Sequence, residues 1–237
     1  MAKKALVTGA SSGIGKAICK MLIEEGWEVY GIGRKFFYDS TPVSPLFHQT
    51  VLDLLSPDAE NTVKEIIADH DFGLLVNNAG VGFYGLHEEI STASIRAMVR
   101  TNLEIPMILT QLMLRDLKAN HGRIINISSV TAFESNPHGA AYGATKAGLR
   151  SFAVSLFDEA RKYGVGVTTI LPDMTKTELY RNTNFTVDSA EPLAFLEPNQ
   201  VAGCVKYAIN CPDNMVVTEM TIKPLLKRIK RKPAQNA

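Results

Sequence analysis

Tyr142 and Lys146 stand four residues apart, the spacing that puts two side chains on one face of a helix. A free phenol titrates near pH 10 and is a poor base at neutrality, but a cation within hydrogen-bonding reach favours the phenolate and lowers that value by roughly 1 to 3 units. Such a pair is suited to moving a proton on or off a substrate oxygen. Tyr-x-x-x-Lys is common by chance, and its weight comes from its company. Asn77-Asn78-Ala79-Gly80 and Ser128-Ser129 precede it in the chain, each at the carboxyl end of an expected strand. In an open α/β sheet those ends border the crevice where ligands bind.

A second centre is Thr8-Gly9-Ala10-Ser11-Ser12-Gly13-Ile14-Gly15, between the first expected strand and the first expected helix. Glycines let the backbone turn sharply and approach a ligand, while a helix start offers unpaired N–H groups and partial positive charge to a pyrophosphate. Hydroxyls at Ser11 and Ser12 add donors. The next strand ends in Gly31-Ile32-Gly33-Arg34-Lys35, where a dinucleotide fold inspects the adenosine ribose. An acidic residue there would accept from a free 2′-hydroxyl; glycine followed by two cations suits a 2′-phosphate, with Arg34 as a planar fork and Lys35 as a point charge. This favours NADP(H) over NAD(H). Asp53, ending the third strand, is placed either to accept from the adenine amino group or to cap the following turn.

These residues need a scaffold that brings strand ends together. Short runs rich in Val, Ile and Leu at 4–8, 28–32, 47–52, 74–77, 123–128, 166–171 and 215–218 alternate with stretches of helical period at 13–25, 57–69, 88–101, 103–120, 140–163 and 198–210. That alternation predicts repeated βαβ units in a single α/β domain, a doubly wound seven-stranded parallel sheet or Rossmann fold. Ser56-Pro57 reads as a helix start and Asn120-His121-Gly122 as a left-handed stop.

Together the motifs resemble the short-chain dehydrogenase/reductase family over nearly the whole chain. The resemblance implies that Gly9, Ser11, Ser12, Gly13, Ile14 and Gly15 bind a dinucleotide, with Asn78, Ala79 and Gly80 lining its adenosine side. It also implies an Asn102, Ser129, Tyr142 and Lys146 tetrad. Ser129 is chosen over Ser128 because it lies thirteen residues before Tyr142. In that scheme Tyr142 is general acid or base, and Lys146 lowers its pKa and bonds the nicotinamide ribose. Ser129 holds the carbonyl oxygen, and Asn102 holds a water leading from Lys146 to solvent. Pro172 and Thr177 would contact the nicotinamide end, although Asp173 replaces the glycine usual after that proline. The implied activity is hydride transfer between NADP(H) and a small carbonyl or alcohol. The rival reading, a non-catalytic dinucleotide-binding sensor or scaffold, would not need Ser129, Tyr142 and Lys146 together. Homodimers or homotetramers built on helices 103–120 and 140–163 are implied as well.

Domain 1–222 is expected to carry the site, with 173–199 as a substrate lid and Val81, Phe83, Val130, Phe133 and His138 as an apolar or mixed pocket wall. Residues 223–237 form a basic tail in which Lys223, Lys227, Arg228, Lys230, Arg231 and Lys232 have no acid among them; without these six, 19 basic face 24 acidic residues. A negative body argues against nucleic acid as a partner. The tail is expected to be solvated, with contact to an anionic membrane surface the lesser alternative. Three cysteines without C-x-x-C spacing and five scattered histidines give no metal-site pattern. The opening residues carry too short an apolar run for a secretory signal, which points to the cytoplasm.

Overall fold

The computed structural model describes residues 3–36, 44–183 and 185–232. Seven strands form one parallel sheet: β1 (Lys4–Thr8), β2 (Glu28–Gly33), β3 (Phe47–Val51), β4 (Leu74–Asn77), β5 (Arg123–Ile127), β6 (Gly166–Pro172) and β8 (Glu219–Ile222), in the order β3-β2-β1-β4-β5-β6-β8. Apart from β3 and β8 at the edges, these strands are almost wholly buried, which is why they read as unbroken aliphatic runs. Order reverses between β1 and β4, so the carboxyl ends at Thr8 and Asn77 flank the switch-point crevice.

Helices α1 (Gly13–Glu24) and α6 (Pro198–Ile209) cover one face, where Ile18, Leu22, Val201 and Val205 pack on Val7, Val29 and Val76. On the other face α2 (Ala59–Ala68), α4 (Ile105–Ala119) and α5 (Ala140–Ala160) bring Val63, Met113 and Leu156 against Leu6, Leu75 and Ile124. The two layers make the sheet doubly wound. No helix among the described residues is long and apolar enough to cross a membrane.

Local differences from the sequence expectations have physical reasons. The last sheet strand lies at Glu219–Ile222 rather than 215–218. Val216 and Val217 mark β propensity, but a turn bond from Met215 N–H to Pro212 C=O occupies the approach, and Arg150 grips Glu219 at 2.5 and 3.0 Å to fix the register against β6. Helix α2 starts at Ala59, with Ser56 and Pro57 in the preceding turn. Helix α3 (Thr92–Val99) starts late because Ser91 caps it, its hydroxyl accepting from Ser94 N–H at 3.1 Å. Between α3 and α4 the chain does not break: residues Arg100–Glu104 form a π-turn. The left-handed residue in the stop after α4 is His121, with φ 50°.

The segment expected to be a solvated tail folds back over residues 185–193 as far as residue 232. Strand β9 (Lys230–Arg231) pairs antiparallel with β7 (Phe185–Thr186), and Leu226 N–H donates to Leu193 C=O at 2.9 Å. Counting cations could not reveal acceptors supplied by a segment distant in sequence. Residues 233–237 lie outside the described residues.

Candidate active site

A cavity of about 800 Å³ runs along the carboxyl ends of the strands, from the turn after β1 to the segment after β6. At one end stand Gly9, Ser11, Ser12, Gly13 and Ile14. Gly9 and Gly13 have φ of 67° and 50°, a region where a side chain is strained. Ser12 caps α1 without using its hydroxyl, which leaves that group and the first helical N–H groups facing the cavity. Gly15 is not on the wall. Its role is close packing, since a Cβ there would sit 2.2 Å from the Gly9 carbonyl oxygen and 2.4 Å from the Asn78 amide. Asn78 is on the wall yet also clamps the loop, donating to the carbonyls of Thr8 at 2.8 Å and Gly9 at 3.3 Å. The Thr8 hydroxyl returns the tie by accepting from Asn78 and Ala79 N–H, each at 3.1 Å.

At the end of β2, Gly33 lets the loop close, because a Cβ there would meet Ser11 at 2.9 Å. Arg34 is exposed and on the wall; Lys35 is exposed but off it. Asp53 lines the same end and caps its own turn, accepting from Leu55 N–H at 3.0 Å, the second of its two expected uses. Ala79 and Gly80 continue the wall toward the centre.

The tetrad residues converge from three elements. Tyr142 and Lys146 lie on α5, Ser129 follows β5, and Asn102 sits in the π-turn. Tyr142 and Ser129 both line the cavity, and the Ser129 hydroxyl accepts from Thr131 N–H at 3.2 Å. Ser128 is turned away, donating to the Lys146 carbonyl at 3.0 Å. Lys146 is behind the wall, with Nζ donating to Ile127 C=O at 2.8 Å and lying 5.8 Å from the centre of the Tyr142 ring. Burial pushes Lys146 down to about 8. Burial also pushes the Tyr142 phenol above its ordinary range, with the Tyr180 phenol adding to the rise and the Ser129 hydroxyl opposing it. The expected depression of Tyr142 by Lys146 is therefore not what the protein groups alone produce: desolvation outweighs a cation held on a carbonyl.

Asn102 is fully buried and its amide is completely engaged. It accepts from Val81 N–H at 2.9 Å and donates to Val81 C=O at 2.9 Å and to the Thr145 hydroxyl at 3.0 Å. Its side chain therefore fixes the strand exit at Val81 against α5, and it makes no hydrogen bond to Lys146.

Beyond β6, Pro172, Asp173, Met174 and Thr177 line the cavity. Asp173 has no positive φ; its carboxylate accepts from Met174 N–H at 2.8 Å and so supplies the turn without glycine. The Thr177 methyl lies 3.1 Å from where a Gly13 Cβ would stand, which brings the segment after β6 and the glycine loop together. Of the expected pocket wall, Val81, Phe83, Val130 and His138 are present, whereas Phe133 is exposed and lies over Arg150 at 5.6 Å. Sequence reasoning missed Tyr84, on the wall; Tyr180, within the 173–199 segment expected to cover substrate, is on the wall too. The Tyr84 ring lies 5.6 Å from Tyr142, tilted, and 5.2 Å from Phe185, edge-on, and no motif or period marks it.

Residues 3–188 match the family model described as short chain dehydrogenase. The chain belongs to the short-chain dehydrogenase/reductase family. An uncharacterized oxidoreductase of Staphylococcus epidermidis is 33% identical over 234 residues, covering 94% of this chain and 97% of that one. A serine 3-dehydrogenase of Agrobacterium fabrum is 34% identical over 179 residues, covering 73% and 72% respectively. Among solved structures, a metagenomic short-chain oxidoreductase in complex with NADP is 28% identical and superimposes with a TM-score of 0.77 over 94% of this chain and 97% of its own. As a short-chain dehydrogenase/reductase, the chain is an oxidoreductase of the nicotinamide dinucleotide class, and its cavity of about 800 Å³ is lined at one part by the glycine loop and the start of α1.

Proposed function

We propose that this chain is an NADP(H)-dependent oxidoreductase that interconverts a small carbonyl compound and its alcohol, with Tyr142 as general acid and base. One observation carries the reading: Tyr142 and Ser129 stand on the wall of the same cavity as the glycine loop and Arg34. A bound nicotinamide supplies or accepts the hydride, so the protein has only to hold the substrate and handle one proton.

The glycine loop and the start of α1 would hold the pyrophosphate, Arg34 the 2′-phosphate, and Thr177 the nicotinamide end. Burial keeps Tyr142 protonated at neutral pH, as a donor to a developing alkoxide requires. Ser129 holds the same oxygen with a bond that strengthens as negative charge develops. Lys146 stays cationic below about pH 8 and supports the phenolate left after donation. Asn102 is a positioning residue, locking Val81 to α5 so that the phenol and lysine keep their places.

A panel of aldehydes and ketones followed by NADPH absorbance tests this. Turnover with NADPH at least tenfold more efficient than with NADH is expected; no turnover of any carbonyl, or a preference for NADH, contradicts it.

A further inference from the structure

The cations of the carboxy-terminal strap divide by what they do. Three anchor it: Lys223 pairs with Glu134, Arg228 pairs with Asp188 at 3.4 Å, and Lys232 donates to the carbonyls of Tyr180 at 2.6 Å and Arg181 at 3.2 Å. Lys227 and Arg231 line the same cavity as Tyr142 and have no acidic partner among the described residues.

The strand register explains how Arg231 reaches inward. It pairs directly with Phe185 across β7 and β9, and residues directly opposite in an antiparallel pair project from one face. Phe185 packs on Tyr84, which packs on Tyr142, so that face is the one turned to the catalytic phenol. Lys230, opposite Thr186, projects from the other face and is not on the wall.

Around this end the cavity also carries Arg181, likewise without an acidic partner among the described residues, so three such cations face two acids that have no cationic partner there, Glu178 and Asp173; Glu134 is engaged with Lys223. The strap is anchored to residues 188 and 193 and to Glu134 after β5, three strands across the sheet from Arg34 at the end of β2. The surplus of positive charge therefore faces substrate rather than coenzyme phosphates.

We infer that Lys227 and Arg231 bind a carboxylate on the substrate, several bonds from the carbon that reacts. The inference rests on the oxidoreductase reading above and adds the substrate class. Arg231's pairing partner Phe185 is separated from Tyr142 by the Tyr84 ring, with ring centres 5.2 and 5.6 Å apart, so the strap's cations stand beyond that ring as seen from the phenol. A planar fork beside a second cation suits a carboxylate.

The test uses oxo acids whose carbonyl lies two to seven carbons from the carboxylate, each beside its methyl ester, with the full-length protein and NADPH. At one or more chain lengths the acid is expected to exceed the ester in kcat/KM by about 10- to 100-fold, the range a charge-assisted bond supports. Arg231→Gln and Lys227→Gln should each remove most of that preference through KM, leaving kcat on the ester and the Kd of NADPH within about twofold of the unsubstituted protein. Efficient ester turnover with no acid preference at any length would overturn this inference and leave the oxidoreductase reading standing. A preference that survives both substitutions, or a matching loss of NADPH affinity, would also overturn it. If neither acid nor ester reacts, both readings fall.

Discussion

Replacing Lys146 with methionine keeps most of the side-chain volume and removes a buried charge. Burial holds this lysine at about 8 in place of its ordinary 10.5, a difference equivalent to about 3 kcal/mol of destabilisation. Below pH 8 the lysine is protonated in both folded and unfolded chains, so the whole penalty is present. Between about pH 8 and 10.5 the unfolded chain binds the extra proton, and stability of the native protein rises with pH by about 3 kcal/mol relative to Lys146→Met. Against this, the substitution removes the 2.8 Å bond to Ile127 C=O, worth about 0.5 to 1.5 kcal/mol when the amine is neutral. The variant is thus expected to be more stable than the unsubstituted protein by about 2 kcal/mol at pH 7, and less stable by about 1 kcal/mol at pH 10.5. The single tryptophan, Trp27, is buried and reports urea unfolding at each pH. A stability difference that stays constant within about 0.5 kcal/mol from pH 7 to 10.5 would refute the assignment of a desolvated ammonium to this position.

Arg34→Ala should weaken NADPH binding by about 10- to 100-fold in a fluorescence titration and leave NADH within about threefold, because only the 2′-phosphate loses a charged partner. Gly15→Ala should destabilise the fold by about 3 kcal/mol or more and abolish coenzyme binding, since the new Cβ falls 2.2 Å from the Gly9 carbonyl oxygen. Gly203→Ala is the control: nothing lies within 4 Å of its Cβ site in α6, and helix propensity predicts a gain of about 0.5 to 1 kcal/mol by thermal unfolding. Met107 on α4 and Val154 on α5 are exposed and are expected to be covered in a dimer or tetramer, so Val154→Glu should lower the mass measured by light scattering; a monomer before substitution contradicts this.

The buried strands were readable because parallel strands covered on both faces must be apolar throughout, and six of the seven sheet strands lie within a residue of the aliphatic runs. The seventh was misplaced by four residues because Val216 and Val217 carry more propensity than Glu219 to Ile222, and an ion pair to α5 decides the register. The glycine loop and the Tyr142–Lys146 pair were legible since each depends on residue types at fixed spacing. What was not legible depends on contacts between distant segments. The ties from the Asn102 amide to Val81 and Thr145, the place of Tyr84 and the inward face of the strap arise only from tertiary pairing. The desolvation of Tyr142 and Lys146 was not legible for a similar reason, because a spacing of four residues reveals a neighbouring cation and not the dryness around both groups.

The central claim is that the Tyr142 phenol moves the proton that accompanies hydride transfer. Tyr142→Phe, mixed in a single turnover with saturating NADPH and a carbonyl substrate that the unsubstituted protein reduces, isolates that step. The account predicts NADPH affinity within about threefold of the unsubstituted protein and a hydride-transfer rate lower by about 10²- to 10⁴-fold. Transfer at an undiminished rate would contradict it.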